Sequence, residues 1–142
     1  MHFVVVDAHR GGHPTPMNDS KTRLRLIEYL DEENNISKTG IARLIDAVNE
    51  AADLARATKC KEVMALATSA VRDSNNSDEV LAKVTKETGI ELRVLSGEDE
   101  ARMTFLAARR WYGWSAGRIL NLDIGGGSLE LTSGDDELPE HA

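Results

Sequence analysis

Residues 118–133, RILNLDIGGGSLELTS, carry an acid, three glycines, a hydroxyl and a second acid in one short stretch. Consecutive glycines at 125, 126 and 127 let the backbone turn without Cβ clashes, so that successive N–H groups can converge on an anion such as a phosphate. Asp123 before the turn and Glu130 after it offer hard oxygen ligands of the kind Mg²⁺ takes. In an extended strand Ser128 and Glu130 share a face, because side chains alternate. An ordinary glycine-rich hairpin with an acid at each end has the same spacing, and spacing alone does not separate the two readings. Two other phosphate loops are excluded. No Gly-x-x-x-x-Gly-Lys-Ser/Thr occurs, and Gly125-Gly126-Gly127 lacks the further spaced glycine and helix of a dinucleotide fold.

Two residues upstream could complete such a site. Arg72 falls in a polar stretch, 69–76, that leaves an expected strand; loops at strand ends are where open α/β sheets place ligands, and a guanidinium matches phosphate in a bidentate way. The alternative for Arg72 is solvent, or a pair with Asp73. Glu98, Asp99 and Glu100 stand at an expected helix start, where carboxylates complement the macrodipole. That explains Asp99 well but does not single out Glu100, for which a general base beside a phosphate turn is the chemical alternative. His9 and His13 sit in a Gly-Pro loop with no third partner and read as solvent-exposed rather than metal-bound. The single Cys60 cannot form an internal disulfide and reads as a small half-buried residue.

The elements that must position these groups follow from periodicity. A strand is expected over Phe3 to Ala8, then a loop from His9 to Asp19, and a second strand over Thr22 to Tyr29, where arginine and leucine alternate. Ser37 caps a helix with Ile41, Leu44, Ile45, Val48, Ala52 and Ala55 on one face, running to about Thr58. Glu62 to Thr68 reads as a buried strand. Ser77 caps a shorter helix with Val80, Leu81 and Val84 inward, ended by Gly89. Ile90 to Leu95 is the next strand. Ser96-Gly97-Glu98-Asp99 has a capping-box pattern opening a helix through Met103, Leu106 and Ala107 to about Trp111. Ile119 to Ile124, the glycine turn and its return strand close the chain, with the acidic tail 135–140 expected to fray. Strand–helix–strand–helix–strand order indicates a parallel α/β unit with right-handed crossovers.

At 142 residues there is room for one ordinary domain and a real core. No apolar run approaches a membrane span, and the first residues lack a signal-peptide pattern, so a cytoplasmic protein is expected. The net charge of −7 argues against nonspecific binding to nucleic acid or anionic membranes, so attraction for a phosphate must be local.

Three ordered stretches, 67–73 (ATSAVRD), 95–102 (LSGEDEAR) and 122–131 (LDIGGGSLEL), resemble the exopolyphosphatase/guanosine pentaphosphate phosphohydrolase family, and the likeness covers nearly the whole chain. It implies an α/β fold of the actin-like (ribonuclease H-like) type, a mixed sheet with helices. Residues 3–117 would form the first domain and 118–142 the start of a second. It implies Glu100 as the base that activates water, Arg72 and the 125–128 turn (Gly125, Gly126, Gly127, Ser128) as phosphate ligands, and Asp123 and Glu130 as Mg²⁺ ligands. Those roles agree with the bottom-up reading, because phosphoryl transfer needs positioning and charge neutralisation more than covalent help.

The chain also departs from the family pattern. Members carry an extra first strand with a phosphate loop, Asp-x-Gly-Ser-Asn-Ser/Thr, ahead of the strand that here is Val4 to Ala8, and a larger second domain. The resemblance therefore implies a piece of such an enzyme, hydrolysing little or nothing alone. The missing strand would lie between those matching Val4 to Ala8 and Glu62 to Thr68. Ile119 to Ile124 is expected to fill that slot, in the same chain or swapped from another, and an unfilled slot favours a homodimer. The substrate is inorganic polyphosphate or guanosine pentaphosphate, between which the residues do not choose. The competing functions are an actin-like kinase or ATPase, and a non-catalytic phosphate or alarmone binder.

Overall fold

The computed structural model describes residues 1–12, 14–125 and 127–142, so His13 and Gly126 lie outside the described residues. The chain divides into two compact units, Met1–Ala65 with Asn75–Leu92, and Leu66–Ser74 with Arg93–Ala142.

The first unit begins with an antiparallel hairpin of β1 (His2–Asp7) and β2 (Thr15–Lys21). The sequence places a loop where β2 lies, because of its prolines and glycines. The strand tolerates Pro16 because the pairing slips beside it: Val5 faces Asn18 while Val6 faces Pro16, leaving Met17 as the extra residue of a bulge. The second strand expected over Thr22 to Tyr29 does not form. Leu24 and Leu26 are buried as the alternation requires, but Arg25 takes a left-handed backbone (φ 49°) and Leu26–Tyr29 winds into a 3₁₀ turn. Periodic burial without a neighbouring strand does not make a ladder.

The helix α1 (Lys38–Ala57) matches its expectation, with the Ser37 hydroxyl accepting from the Gly40 N–H and Ile41, Leu44, Val48, Ala52 and Ala55 buried. It packs against α3 (Ser77–Thr88), whose Val80 and Val84 are fully buried and whose Gly89 ends the helix in the left-handed conformation; Ser77 is not its cap but its first residue, with Asn76 at the N-cap position and its side chain engaged by Ile36. Asn76 ties the two segments of this unit: its side chain accepts from the Ile36 N–H (2.8 Å) and donates to the Ile36 carbonyl (3.0 Å). Cys60 is half-buried as expected, with its sulfur 3.3 Å from the Thr58 hydroxyl.

The second unit contains a short parallel pair, β3 (Leu66–Ala67) and β4 (Arg93–Val94), each followed by a helix: α2 (Ser69–Arg72) and α4 (Gly97–Tyr112). Both strands are much shorter than their apolar patterns suggest. Val63 and Met64, expected inside a buried strand, are exposed, and residues 69–72, read as loop, are helical. On α4 the buried face is Ala101, Phe105 and Arg109, whereas Met103 points to solvent. An antiparallel hairpin, β5 (Ile119–Ile124) and β6 (Leu129–Gly134), packs its Asn121/Asp123 and Glu130/Thr132 side on α4. Among the described residues β5 pairs with β6 and no other strand, so within this chain it does not fill the slot suggested for it. Its outer face carries Leu120, Leu122, Ile124, Leu129 and Leu131, each at least half exposed.

The tail does not fray. Ser133 and His141 form a bridge, and the Arg118 guanidinium holds Glu140 through two 2.8 Å hydrogen bonds. The hydrogen bond from Arg118 lowers the Glu140 carboxyl below its ordinary value. A carboxyl lowered in the folded state contributes stability above its unfolded pKa and loses it as pH falls through the folded one. The tail is therefore expected to detach only below the ordinary glutamate range of roughly 4.3, which an NMR titration of the His141 amide would follow; detachment near neutral pH would contradict this.

Candidate functional site

Among the described residues the buried polar and charged ones, Ser69, Ser74, Arg109, Glu130 and Thr132, all fall in the second unit. Folding rarely buries such groups without a structural or chemical reason. The β3–β4 pair accounts for part of the arrangement. Its two strands run parallel, so their C-terminal ends lie together and α2 and α4 start side by side, with the Leu95 N–H donating to the Ala67 carbonyl at 3.1 Å.

Arg72, at the end of α2, thereby meets Glu100, in the first turn of α4. Its Nη1 donates to Glu100 Oε2 (3.0 Å) and to the Leu95 carbonyl (3.1 Å), while Nε and Nη2 reach the Asp73 carboxylate at 3.0 and 3.4 Å. Asp73 first, and Glu100 second, hold the guanidinium in its charged form. The pair with Asp73, one of the alternatives for Arg72, thus forms. Arg72 also sits against the candidate base. Four donor protons are engaged in this way, which leaves the second Nη2 proton for a further oxygen. Glu100 Oε1 has no hydrogen-bond partner among the described residues.

Ser96 caps α4 as its pattern predicts: its hydroxyl accepts from the Asp99 N–H (3.0 Å) and donates to the Asp99 carboxylate (2.7 Å). This leaves the cap to Asp99 and frees Glu100 from that duty.

On the hairpin, Asp123 and Glu130 stand directly opposite each other in register, on the side facing α4. Cross-strand partners lie about 5 Å apart at Cβ, so like charges there repel unless something neutralises them. Glu130 is only 8% exposed, and no ion pair or hydrogen bond reaches its carboxylate among the described residues. A cation held between the two carboxylates would offset that repulsion. Two carboxylates paired in register suit a hard divalent ion such as Mg²⁺ only if water or phosphate oxygens complete its shell, since no cluster of three or more such ligands forms among the described residues. The turn between the strands is closed by the Gly125 N–H donating to the Ser128 carbonyl (2.9 Å), with the Ser128 hydroxyl 3.1 Å from where a Cβ on residue 125 would stand. Gly127 is exposed and Ser128 half-buried, while Gly126 lies outside the described residues.

Sequence reasoning missed two residues. Thr104, one turn beyond Glu100 on α4, donates its hydroxyl to Asp123 Oδ2 at 3.0 Å, linking the helix of the candidate base to the candidate metal ligands. Its spacing of four from Glu100 was the available signal. Arg109, 1% exposed, sends Nη2 to the Gly134 carbonyl (2.9 Å) and Nε to the Asp136 carbonyl (3.3 Å), with the Phe105 and Trp114 rings 5.8 and 5.6 Å away. No motif marks it; an arginine near a helix C-terminus ordinarily reads as a dipole partner.

The fold is of the actin-like α/β class. It superimposes on a Ppx/GppA family member from Aquifex aeolicus (TM-score 0.81, 24% identity, 99% of this chain and 45% of that one). It also superimposes on an exopolyphosphatase from Cytophaga hutchinsonii (TM-score 0.89, 24% identity, 98% and 44%). The pattern of the Ppx/GppA phosphatase family matches residues 5–142, and the chain belongs to that family. It is 63% identical over 142 residues to exopolyphosphatase 1 of Mycobacterium tuberculosis and 58% identical to that of Mycobacterium leprae. It spans about two-fifths of those relatives, 41% and 42% of their lengths.

Proposed function

We propose that this chain supplies part of a Mg²⁺-assisted site that releases terminal phosphate from inorganic polyphosphate. The observation that carries the proposal is the register pairing of Asp123 with the buried Glu130 on the hairpin that packs against α4, the helix carrying Glu100. In this reading Glu100 takes a proton from water through its unoccupied Oε1. The water oxygen forms a bond to the terminal phosphorus as the bridging P–O bond breaks, and the electron pair leaves with the shortened chain. Arg72 meets the oxygens of the departing phosphoryl group, and the Gly127 and Ser128 N–H groups of the turn, which the Gly125 N–H closes on the Ser128 carbonyl, donate to phosphate oxygens. Asp123 and Glu130 would hold Mg²⁺, which would supply charge neutralisation to the phosphate.

The relatives named exopolyphosphatase favour polyphosphate; guanosine pentaphosphate, with the same terminal anhydride, is the second substrate consistent with the family. A cytoplasmic setting suits both substrates, and no helix among the described residues is long and apolar enough to cross a membrane. The 142 residues alone are expected to release little phosphate, since they span two-fifths of the relatives. A malachite-green assay on the purified chain checks this, and turnover comparable to the full-length relatives would overturn it.

A homodimer is the assembly this reading favours. Five large apolar side chains on the outer hairpin face, doubled across a two-fold, approach the roughly 1,000 Å² that a specific interface needs. Sedimentation velocity should show a dimer that Leu122→Lys dissociates; a monomer throughout a concentration series would contradict it.

A further inference from the structure

We propose that Thr104 is a positioning residue that fixes the Asp123 carboxylate, so that the candidate base and the candidate metal ligands share one rigid frame. The proposal rests on the reading of Asp123 and Glu130 given above. A threonine inside a helix ordinarily turns its hydroxyl back to the carbonyl four residues earlier. Thr104 instead donates to Asp123 Oδ2, 3.0 Å away and 19 residues along the chain. Its β-branched side chain has few χ1 choices in a helix, so the hydroxyl is held in direction as well as in distance.

Among the described residues this is the one hydrogen bond that the Asp123 side chain receives. Oδ1 has no protein donor among the described residues, and the Asp123 position pairs with Glu130 across the hairpin. Thr104 and Glu100 are four residues apart and share a face of α4, and Glu100 is itself held by Arg72. One helix face therefore carries both the candidate base and the donor that orients its metal-side counterpart. A rotation of Asp123 about χ1 would separate the two carboxylates; the Thr104 hydroxyl opposes that rotation.

The test compares the wild-type chain with Thr104→Val, which keeps the shape and removes the hydroxyl, and Thr104→Ser, which restores it. Side-chain three-bond couplings read the χ1 distribution of Asp123, and Mn²⁺ titration followed by electron paramagnetic resonance reads the cation site. One Asp123 rotamer is expected in the wild type and in Thr104→Ser, with rotamer averaging in Thr104→Val and Mn²⁺ affinity reduced about tenfold. A single Asp123 rotamer in folded Thr104→Val, or Thr104→Ser behaving like the valine variant, overturns the proposal. If the wild-type chain binds no Mn²⁺, the metal reading of Asp123 and Glu130 fails, while the rotamer comparison still decides the role of Thr104. Should Thr104→Val not fold, the wild type alone decides: a Thr104 hydroxyl proton protected from solvent exchange supports the proposal, and a freely exchanging one refutes it.

Discussion

Replacing Arg109 with methionine is expected to destabilise the chain by about 3 kcal/mol, although the substitution keeps a long side chain in a buried position. Among the described residues no carboxylate pairs with Arg109; its guanidinium serves the Gly134 and Asp136 carbonyls, with a longer 3.4 Å contact to the Gly113 carbonyl. Removing it leaves the buried Gly134 carbonyl, and the part-buried Asp136 and Gly113 carbonyls, without this donor, and a buried unsatisfied group costs about 1–3 kcal/mol. The cation–π contacts with Phe105 and Trp114 are lost as well. Lysine keeps the charge but lacks the planar fork that reaches several carbonyls together, so Arg109→Lys should recover less than half of the loss. Urea denaturation at unchanged m-value measures both variants. A methionine variant within about 0.5 kcal/mol of wild type would show that the arginine is incidental.

The second large effect concerns ligand binding. Arg72→Ala is expected to weaken polyphosphate binding roughly ten- to a hundredfold, the range of one or two charge-assisted hydrogen bonds of about 1.5–3 kcal/mol. It also leaves Glu100 and Asp73 without the guanidinium that holds them. Two carboxylates near an incoming polyanion then repel it, so the loss exceeds that of a simple contact. Arg72→Lys should restore charge without restoring geometry, because a single ammonium cannot reach Asp73, Glu100 and the Leu95 carbonyl from one position while also meeting phosphate. Calorimetric titration reads the affinities. Binding unchanged by Arg72→Ala would remove Arg72 from the site.

Much of this arrangement was legible in the sequence because local chemistry sets it. Ser37 and Ser96 caps, the Gly89 stop and the Ile119–Ser133 hairpin rest on side chains and backbone freedoms near in sequence, and they appear where the patterns place them. The strands at 62–68 and 90–95 were overextended because an apolar run reports burial preference, whereas a ladder needs a partner of equal length. The β2 strand was hidden by its prolines, and the bulge that accommodates Pro16 cannot be read from composition. Asp123, Glu130, Glu100 and Arg72 could each be nominated from spacing and resemblance. The hydroxyl of Thr104 and the buried guanidinium of Arg109 act across 19 and 25 residues of chain, and only the packed unit brings their partners to them.

The polar inner side of the β5–β6 hairpin is the feature on which the functional account depends. An ordinary hairpin turns its leucines to the helix and its acids to water. Here Asp123, Glu130, Asn121 and Thr132 face α4, and the leucines face outward. Such an inversion destabilises the isolated hairpin and is explained if the acids have a cation to hold.

Calorimetric titration of the wild-type chain with polyphosphate, in the presence and absence of Mg²⁺, tests that account most directly. Binding that requires Mg²⁺ and disappears in the Asp123→Asn, Glu130→Gln double variant is the predicted result. Binding that ignores Mg²⁺ and survives both substitutions, or no binding under either condition, would contradict it.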